Sequence, residues 1–251
     1  MFVYGGDMML SIIIPVYNSA ASLEKLNKTI DQALNISYEI IFVNDCSSDS
    51  SQKVLDGLTG PVRVLELPFN HGQQGAIFEG MKIAKGDYIL TMDDDLQHNP
   101  KDISRLLEEI EKGYDLVYGI SQEEMVNYRQ VGSKLTAYFF KTRYKHLGKK
   151  RVSSFRIFTQ ALNKKALECP YKYIYLSGIM LKHTKKIGQV HIVKNKRLYG
   201  QSGYNFKKLV WLFLRLNFYY GYFPDFMKPK RTEYEKNNDV RRRQPAVERH
   251  T

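Results

Sequence analysis

Between Leu10 and Tyr118 the chain alternates short apolar runs with amphipathic stretches, and this alternation limits the possible folds more than any other feature. Leu10–Val16 reads as a buried strand, followed by a helical pattern from about Ala20 to Leu34. Tyr38–Val43, Val62–Leu67, Asp87–Met92 and Tyr114–Tyr118 read as further strands, separated by helical patterns at Asp49–Leu58, Gly75–Ala84 and Pro100–Glu111. Strands that are apolar along their whole length are buried on both faces, and alternation with helices supplies the cover. The prediction is an α/β fold built on a mostly parallel sheet flanked by helices.

Ligands of such sheets collect at the carboxyl ends of the strands. The polar clusters fall there: Tyr17-Asn18 after the first strand, Asn44-Asp45 after the second, and Asp93-Asp94-Asp95 after the fourth. Their coincidence predicts one nucleotide-binding crevice. A dehydrogenase-type site is disfavoured, because no Gly-x-Gly-x-x-Gly follows the first strand. The second half is less regular. Helical patterns at Tyr128–Leu147, Asn163–Cys169, Ile174–Lys186 and Gly203–Phe223 accompany candidate strands at Phe155–Phe158 and Gln189–Val193. Beyond Pro229 the chain is charged and poor in apolar residues, the composition of a weakly ordered tail.

Three adjacent carboxylates repel one another unless a cation or hydrogen-bond donors neutralise them. A hard divalent ion, Mg²⁺ or Mn²⁺, suits carboxylates together with diphosphate oxygens, and supplies positive charge for a departing nucleotide diphosphate. A solvated acidic turn ahead of the helix at Pro100 is the other reading of the spacing alone. The net charge of +12 points to an anionic partner: nucleic acid, lipid headgroups or a phosphate-bearing substrate. Cys46 and Cys169 lack any disulfide or metal-ligand pattern and fit a reducing, cytoplasmic compartment. Neither a signal peptide nor a run of roughly 20 apolar residues is expected from the sequence.

Taken in order, the motifs resemble those of glycosyltransferase family 2 enzymes with a GT-A fold, and within them the polyprenyl-phosphate sugar transferases that include dolichol-phosphate mannose synthase. The resemblance runs from about Ser11 to Phe223. It is carried by Pro15-Val16-Tyr17-Asn18, Val43-Asn44-Asp45-Cys46-Ser47-Ser48-Asp49, Asn70-His71-Gly72, Ala84-Lys85-Gly86-Asp87-Tyr88-Ile89 and Asp93-Asp94-Asp95-Leu96-Gln97. Arg129 with Ser133, Ser154-Phe155-Arg156, and Arg197 with Gly200 and Ser202 complete it. It implies a Rossmann-like GT-A domain over 1–202; the helical spacing adds an amphipathic, membrane-interfacial helix over 203–228, and the charged composition a disordered tail over 229–251.

The same resemblance implies that Pro15, Tyr17 and Asn18 line the nucleotide pocket. Asn44, Asp45, Gly72, Asp93 and Asp94 join them as donor-binding residues, Asp45 accepting from the base. Asp95 and Gln97 would hold the metal, and Asp95, Arg129 and Arg197 would carry catalysis. Arg129 and Ser133 lie one helical turn apart and can face one phosphate. Arg197 and Ser202 offer a second such pair, since the guanidinium fork matches phosphate bidentately. The chain departs from the subgroup at Gly119-Ile120-Ser121, where an arginine is frequent, and at Lys149-Lys150-Arg151, where an acid is.

The expected activity is an inverting, metal-dependent transfer from a nucleotide sugar to a polyprenyl phosphate in cell-envelope glycan synthesis. Transfer to a hydroxyl of a lipid-linked oligosaccharide or polysaccharide is the alternative. A hydroxyl must lose a proton as it attacks, whereas a phosphate arrives ionised. Neither His71 nor His98 has an evident orienting partner in the sequence, which favours the phosphate. Phe206, Leu209, Val210, Phe213, Leu216, Tyr220 and Phe223 recur at helical spacing among basic residues, a pattern of an interfacial or a core-packing helix. The expectation is a peripheral protein on the cytoplasmic membrane face, with a membrane-protein partner or a second copy as candidate company. Nucleic-acid binding is suggested by the basic Tyr138–Lys145 stretch but lacks any motif, and no nucleic-acid partner is expected.

Overall fold

The computed structural model describes residues 8–121, 131–195 and 206–232. Seven strands form one sheet: β1 (Met9–Val16), β2 (Ser37–Asn44), β3 (Val62–Glu66), β4 (Tyr88–Thr91), β5 (Leu116–Ser121), β6 (Arg156–Thr159) and β7 (Ile187–Ile192). Their order is β3-β2-β1-β4-β6-β5-β7. β6 alone runs antiparallel, wedged between β4 and β5. The remaining pairings are parallel, with Val16 opposite Asn44 in β2 and Ile13 opposite Thr91 in β4. The mostly parallel sheet expected from the apolar runs is therefore present, with one reversed strand that periodicity alone does not reveal.

Helices cover both faces. On one side lie α1 (Ala20–Ala33), α2 (Ser51–Asp56) and α4 (Asp102–Ile110), sharing a core with Leu10, Ile12, Ile14 and Val16 of β1. On the other lie α3 (Gly72–Met81), α5 (Val131–Arg143), α6 (Gln160–Leu167), α7 (Leu176–His183) and α8 (Phe206–Tyr220), whose core includes Ile13, Ile41 and Val43. Alternate residues of β1 thus enter different cores, the period-2 geometry of a strand buried on both sides. α3 approaches the sheet closely because residue 80 is glycine: a Cβ there would sit 2.6 Å from an Ile13 methyl.

The Ala84-Lys85-Gly86-Asp87 motif closes the amino-terminal edge of the sheet, away from the strand ends that carry the acidic cluster. The Gly86 N–H donates to Ser11 Oγ and the Lys85 N–H to Glu39 Oε1, both at 2.8 Å. Asp87 accepts from the Met9 N–H at 3.0 Å. Ser11 and Arg63 also donate to the buried Glu39. Burial alone would raise the Glu39 carboxyl, but these donors outweigh it and hold it below the usual carboxylate range.

α8 docks by one face, burying Leu216 and Tyr220. The Tyr220 hydroxyl donates to the Tyr173 carbonyl at 2.7 Å and accepts from the Tyr175 N–H at 3.0 Å. Trp211 and Leu214 of the same helix stay exposed, as do Tyr222, Phe223, Phe226 and Met227 beyond it. The following segment is pinned to the body: the Lys172 and Arg231 N–H groups bond Pro229 and Pro170 carbonyls, and Arg231 pairs with the buried Glu79 at 3.0 Å. Among the described residues no helix is long and apolar enough to cross a membrane.

Candidate active site

At the carboxyl edge of the sheet a cavity of about 180 Å³ is lined by Pro15, Val16, Tyr17, Asp45, Gln73, Asp93 and Asp94. Pro15 and Val16 end β1, Asp45 follows β2, and Asp93 follows β4. Three non-glycine residues with positive φ, Asn18 (53°), Cys46 (60°) and Leu96 (60°), occupy the loops after these same strands. Left-handed backbone at a non-glycine residue costs roughly 1–3 kcal/mol and gathers where function over-determines the loop. The turns that frame the cavity are therefore held against their own backbone preference.

Asp45 is buried, and its Oδ1 accepts the His71 N–H at 2.6 Å. Burial raises its carboxyl above the ordinary aspartate range, against the opposing N–H groups of His71 and Gly72. A buried acceptor at the cavity wall suits recognition of an N–H donor on a base. Tyr17 is exposed at the mouth, and Phe69, also exposed, stacks on the His71 ring at 4.2 Å. His71 Nδ1 lies 2.7 Å from the Phe69 carbonyl, an orienting contact invisible in the sequence. His98 is buried and stacked on Phe155.

Asn18 and Asn44, expected among the donor-binding residues, bond the segment that follows β2 through their side chains. Asn18 Oδ1 accepts from the Ser48 N–H at 2.8 Å and its own N–H donates to Ser47 Oγ at 3.0 Å. Asn44 Oδ1 accepts from the Ser47 N–H, while its Nδ2 donates to Gln52. Gly72 begins α3 with φ +72°, a backbone position open to glycine, and its N–H donates to Asn70.

The aspartates differ sharply in their surroundings. Asp93 accepts Gln73 Nε2 on Oδ1 at 2.5 Å and Ser154 Oγ on Oδ2 at 2.8 Å, so both oxygens are engaged. Burial, together with repulsion from Asp93 and Asp95, pushes the Asp94 carboxyl up to about 6 despite a hydrogen bond from Ser19. Asp95 Oδ1 accepts the Gln97 N–H at 3.1 Å, closing a short turn that places both side chains on the same loop. Among the described residues no three His, Cys, Asp or Glu side chains converge as a metal cage. Gln73 and Ser154 were not singled out as donor-site residues. Gln73 directly follows Gly72, and Ser154 opens the Ser154-Phe155-Arg156 motif, so the signal was adjacent to residues already marked. Arg129, Arg197 and Ser202 lie outside the described residues, as does the Ser133 side chain; the Ser133 backbone belongs to α5.

The model of glycosyl transferase family 2 matches residues 11–169. Undecaprenyl-phosphate 4-deoxy-4-formamido-L-arabinose transferase of Proteus mirabilis is 31% identical over 210 residues, covering 80% of this chain and 64% of that protein. Its counterpart in Klebsiella pneumoniae is 29% identical over 219 residues, covering 84% and 67%. The chain thus spans less than two thirds of the first relative's length. Among solved structures, glucosyl-3-phosphoglycerate synthase from Mycobacterium tuberculosis in complex with Mn²⁺, uridine diphosphate and glucosyl-3-phosphoglycerate superposes with a TM-score of 0.67 at 16% identity, covering 87% of this chain and 82% of that one. The same enzyme with phosphoglyceric acid gives 0.65. These likenesses identify the sheet order with its single reversed strand as the GT-A fold. Fold, motif order and family match agree, and the chain belongs to glycosyl transferase family 2.

Proposed function

We propose that this chain is an inverting transferase that moves a sugar from a nucleotide-diphosphate sugar to a polyprenyl phosphate at the cytoplasmic face of a membrane. The observation that carries the reading is a cavity at the carboxyl ends of β1, β2 and β4, walled by Asp45, Asp93 and Asp94, in a chain related to undecaprenyl-phosphate sugar transferases. Asp45 and Tyr17 hold the base, and Pro15 with Gly72 lets the nucleotide approach the backbone. Asn18 and Asn44 keep the intervening loop in place. Asp93 is fixed by Gln73 and Ser154 as a wall of the sugar-nucleotide site.

A divalent metal fits the donor set. Magnesium-type ions are held by one or two protein oxygens plus substrate phosphates rather than by an all-protein cage. Asp95 with Gln97, joined by the Gln97 N–H to Asp95 Oδ1 hydrogen bond, is the pair that would hold it by motif position. When bound, Mg²⁺ or Mn²⁺ offsets the charge that develops on the leaving diphosphate. Arg129, Ser133, Arg197 and Ser202 are assigned to the acceptor phosphate from their motif positions. A phosphate acceptor needs positioning and charge balance rather than a general base, and these four residues would supply both.

The membrane reading rests on the aromatic-rich exposed set Trp211, Leu214, Tyr222, Phe223, Phe226 and Met227, with Arg215 beside Trp211. Amphipathic aromatic surfaces of this kind favour the headgroup boundary. The test is a donor screen with Mn²⁺ and polyprenyl phosphate, following nucleotide diphosphate release and lipid-linked sugar. Release coupled to lipid-linked product is expected; turnover that requires a glycan acceptor instead rejects the lipid phosphate.

A further inference from the structure

Arg156 opens β6 and is only 2% exposed, yet among the described residues it forms no ion pair. Its partners are neutral. Nε donates to Thr91 Oγ1 at 3.3 Å, Nη1 donates to Ser177 Oγ at 2.9 Å, and the guanidinium lies 5.9 Å from the Tyr118 ring centroid. A buried cation without a carboxylate is costly, and replacing it by an apolar side chain would often stabilise a fold. Its retention calls for a purpose other than stability.

Following the two arms outward supplies one. Thr91 Oγ1, having accepted from Arg156, donates to the Ser154 carbonyl at 2.6 Å, and Ser154 Oγ donates to Asp93 Oδ2 at 2.8 Å. On the other arm Ser177 lies in the first turn of α7, whose Leu176 N–H donates to Gln74 at 3.0 Å. The neighbouring Gln73 donates to Asp93 Oδ1 at 2.5 Å. Both routes start at one guanidinium and end on the two oxygens of one carboxylate. The planar fork of arginine can serve two directions at once, which a lysine cannot.

We infer that Arg156 is a positioning residue for the donor site: through Thr91–Ser154 and through Ser177–α7–α3 it sets the orientation of Asp93. The inference rests on the reading of the cavity as a nucleotide-sugar site, but its geometric part can be judged separately. Crystal structures of Arg156→Gln, Thr91→Val and Ser154→Ala report the Asp93 side chain directly. In folded Arg156→Gln and Thr91→Val, Asp93 is expected to lose its Ser154 contact while the sheet stays intact. An Asp93 that keeps both contacts in either variant overturns the inference. Thr91→Val is nearly isosteric and keeps the test open if Arg156→Gln does not fold.

Calorimetry with uridine diphosphate and Mn²⁺ gives the functional arm. Loss of outer positioning contacts is expected to weaken binding about 10-fold or more in variants that remain folded. Arg156→Gln combined with Ser154→Ala is expected to be no worse than the stronger single change, because Ser154 lies on a route that Arg156→Gln already cuts. Additive losses, or full recovery by Arg156→Lys, overturn the relay. Wild-type protein that binds no nucleoside diphosphate sinks the donor-site reading instead, and the crystallographic arm then decides the relay alone.

Discussion

All three adjacent aspartates are engaged by the protein, each differently: Asp93 by Gln73 and Ser154, Asp94 by Ser19 with its neighbours repelling its charge, and Asp95 by the Gln97 N–H. The proposed division of labour among them rests on motif position and on these different surroundings. Asp95→Ala is expected to reduce metal-dependent turnover by about 100-fold, the upper range for disturbing a metal's ligation. Titrating Mn²⁺ against initial rate checks it; unchanged metal dependence would reassign the ligand. The run of aspartates was legible in the sequence because it is contiguous. That Asn18 and Asn44 turn their amides into the Ser47–Ser48 loop was not, because an amide has the same chemistry facing a base or a backbone.

At the scale of elements, the Ala84–Asp87 turn has a structural task that motif order alone left open. A Cβ on residue 86 would stand 2.5 Å from the Ser11 nitrogen and 2.8 Å from the Met9 and Tyr88 oxygens, all of them backbone atoms that cannot step aside. Gly86→Ala is therefore expected to destabilise by at least about 1–3 kcal/mol, the cost of overpacking, read as a shift in the urea midpoint. Glu39 ties β1, β2, β3 and this turn together, with its carboxyl held below the ordinary value. A depressed carboxylate contributes stability above its unfolded pKa of about 4.3 and loses it as pH falls through the folded value. Urea melts from pH 7 down to 3 should show the wild type losing stability below about pH 4.3 more steeply than Glu39→Gln. Parallel slopes would remove Glu39 from the acid response.

Viewed as a whole molecule, the carboxy-terminal helix belongs to two environments. Leu216 and Tyr220 complete the core beneath α7, while Trp211, Leu214 and the Tyr222–Met227 segment face outward. The sequence pattern fits packing or a membrane interface, with the interface as the expectation; in the structure the helix packs by one face and leaves the other exposed. Burying an aromatic side chain is worth roughly 1.5–3 kcal/mol, so replacing Phe226 and Tyr222 together by serine should lower partitioning onto anionic vesicles by at least about tenfold. Cosedimentation measures it, and equal partitioning would separate this surface from any membrane role. Strand–helix alternation, the buried character of β1 and β2 and the acidic cluster at a strand end were determined by the sequence itself, because each is a local pattern with a short period. Tertiary structure decided the rest: β6 reversed between β4 and β5, Ser154 brought 61 residues back to Asp93, and a buried arginine joined to Thr91 and Ser177. Those contacts depend on how separate elements pack, and no local period in the chain encodes which distant side chain will fill a given hydrogen bond.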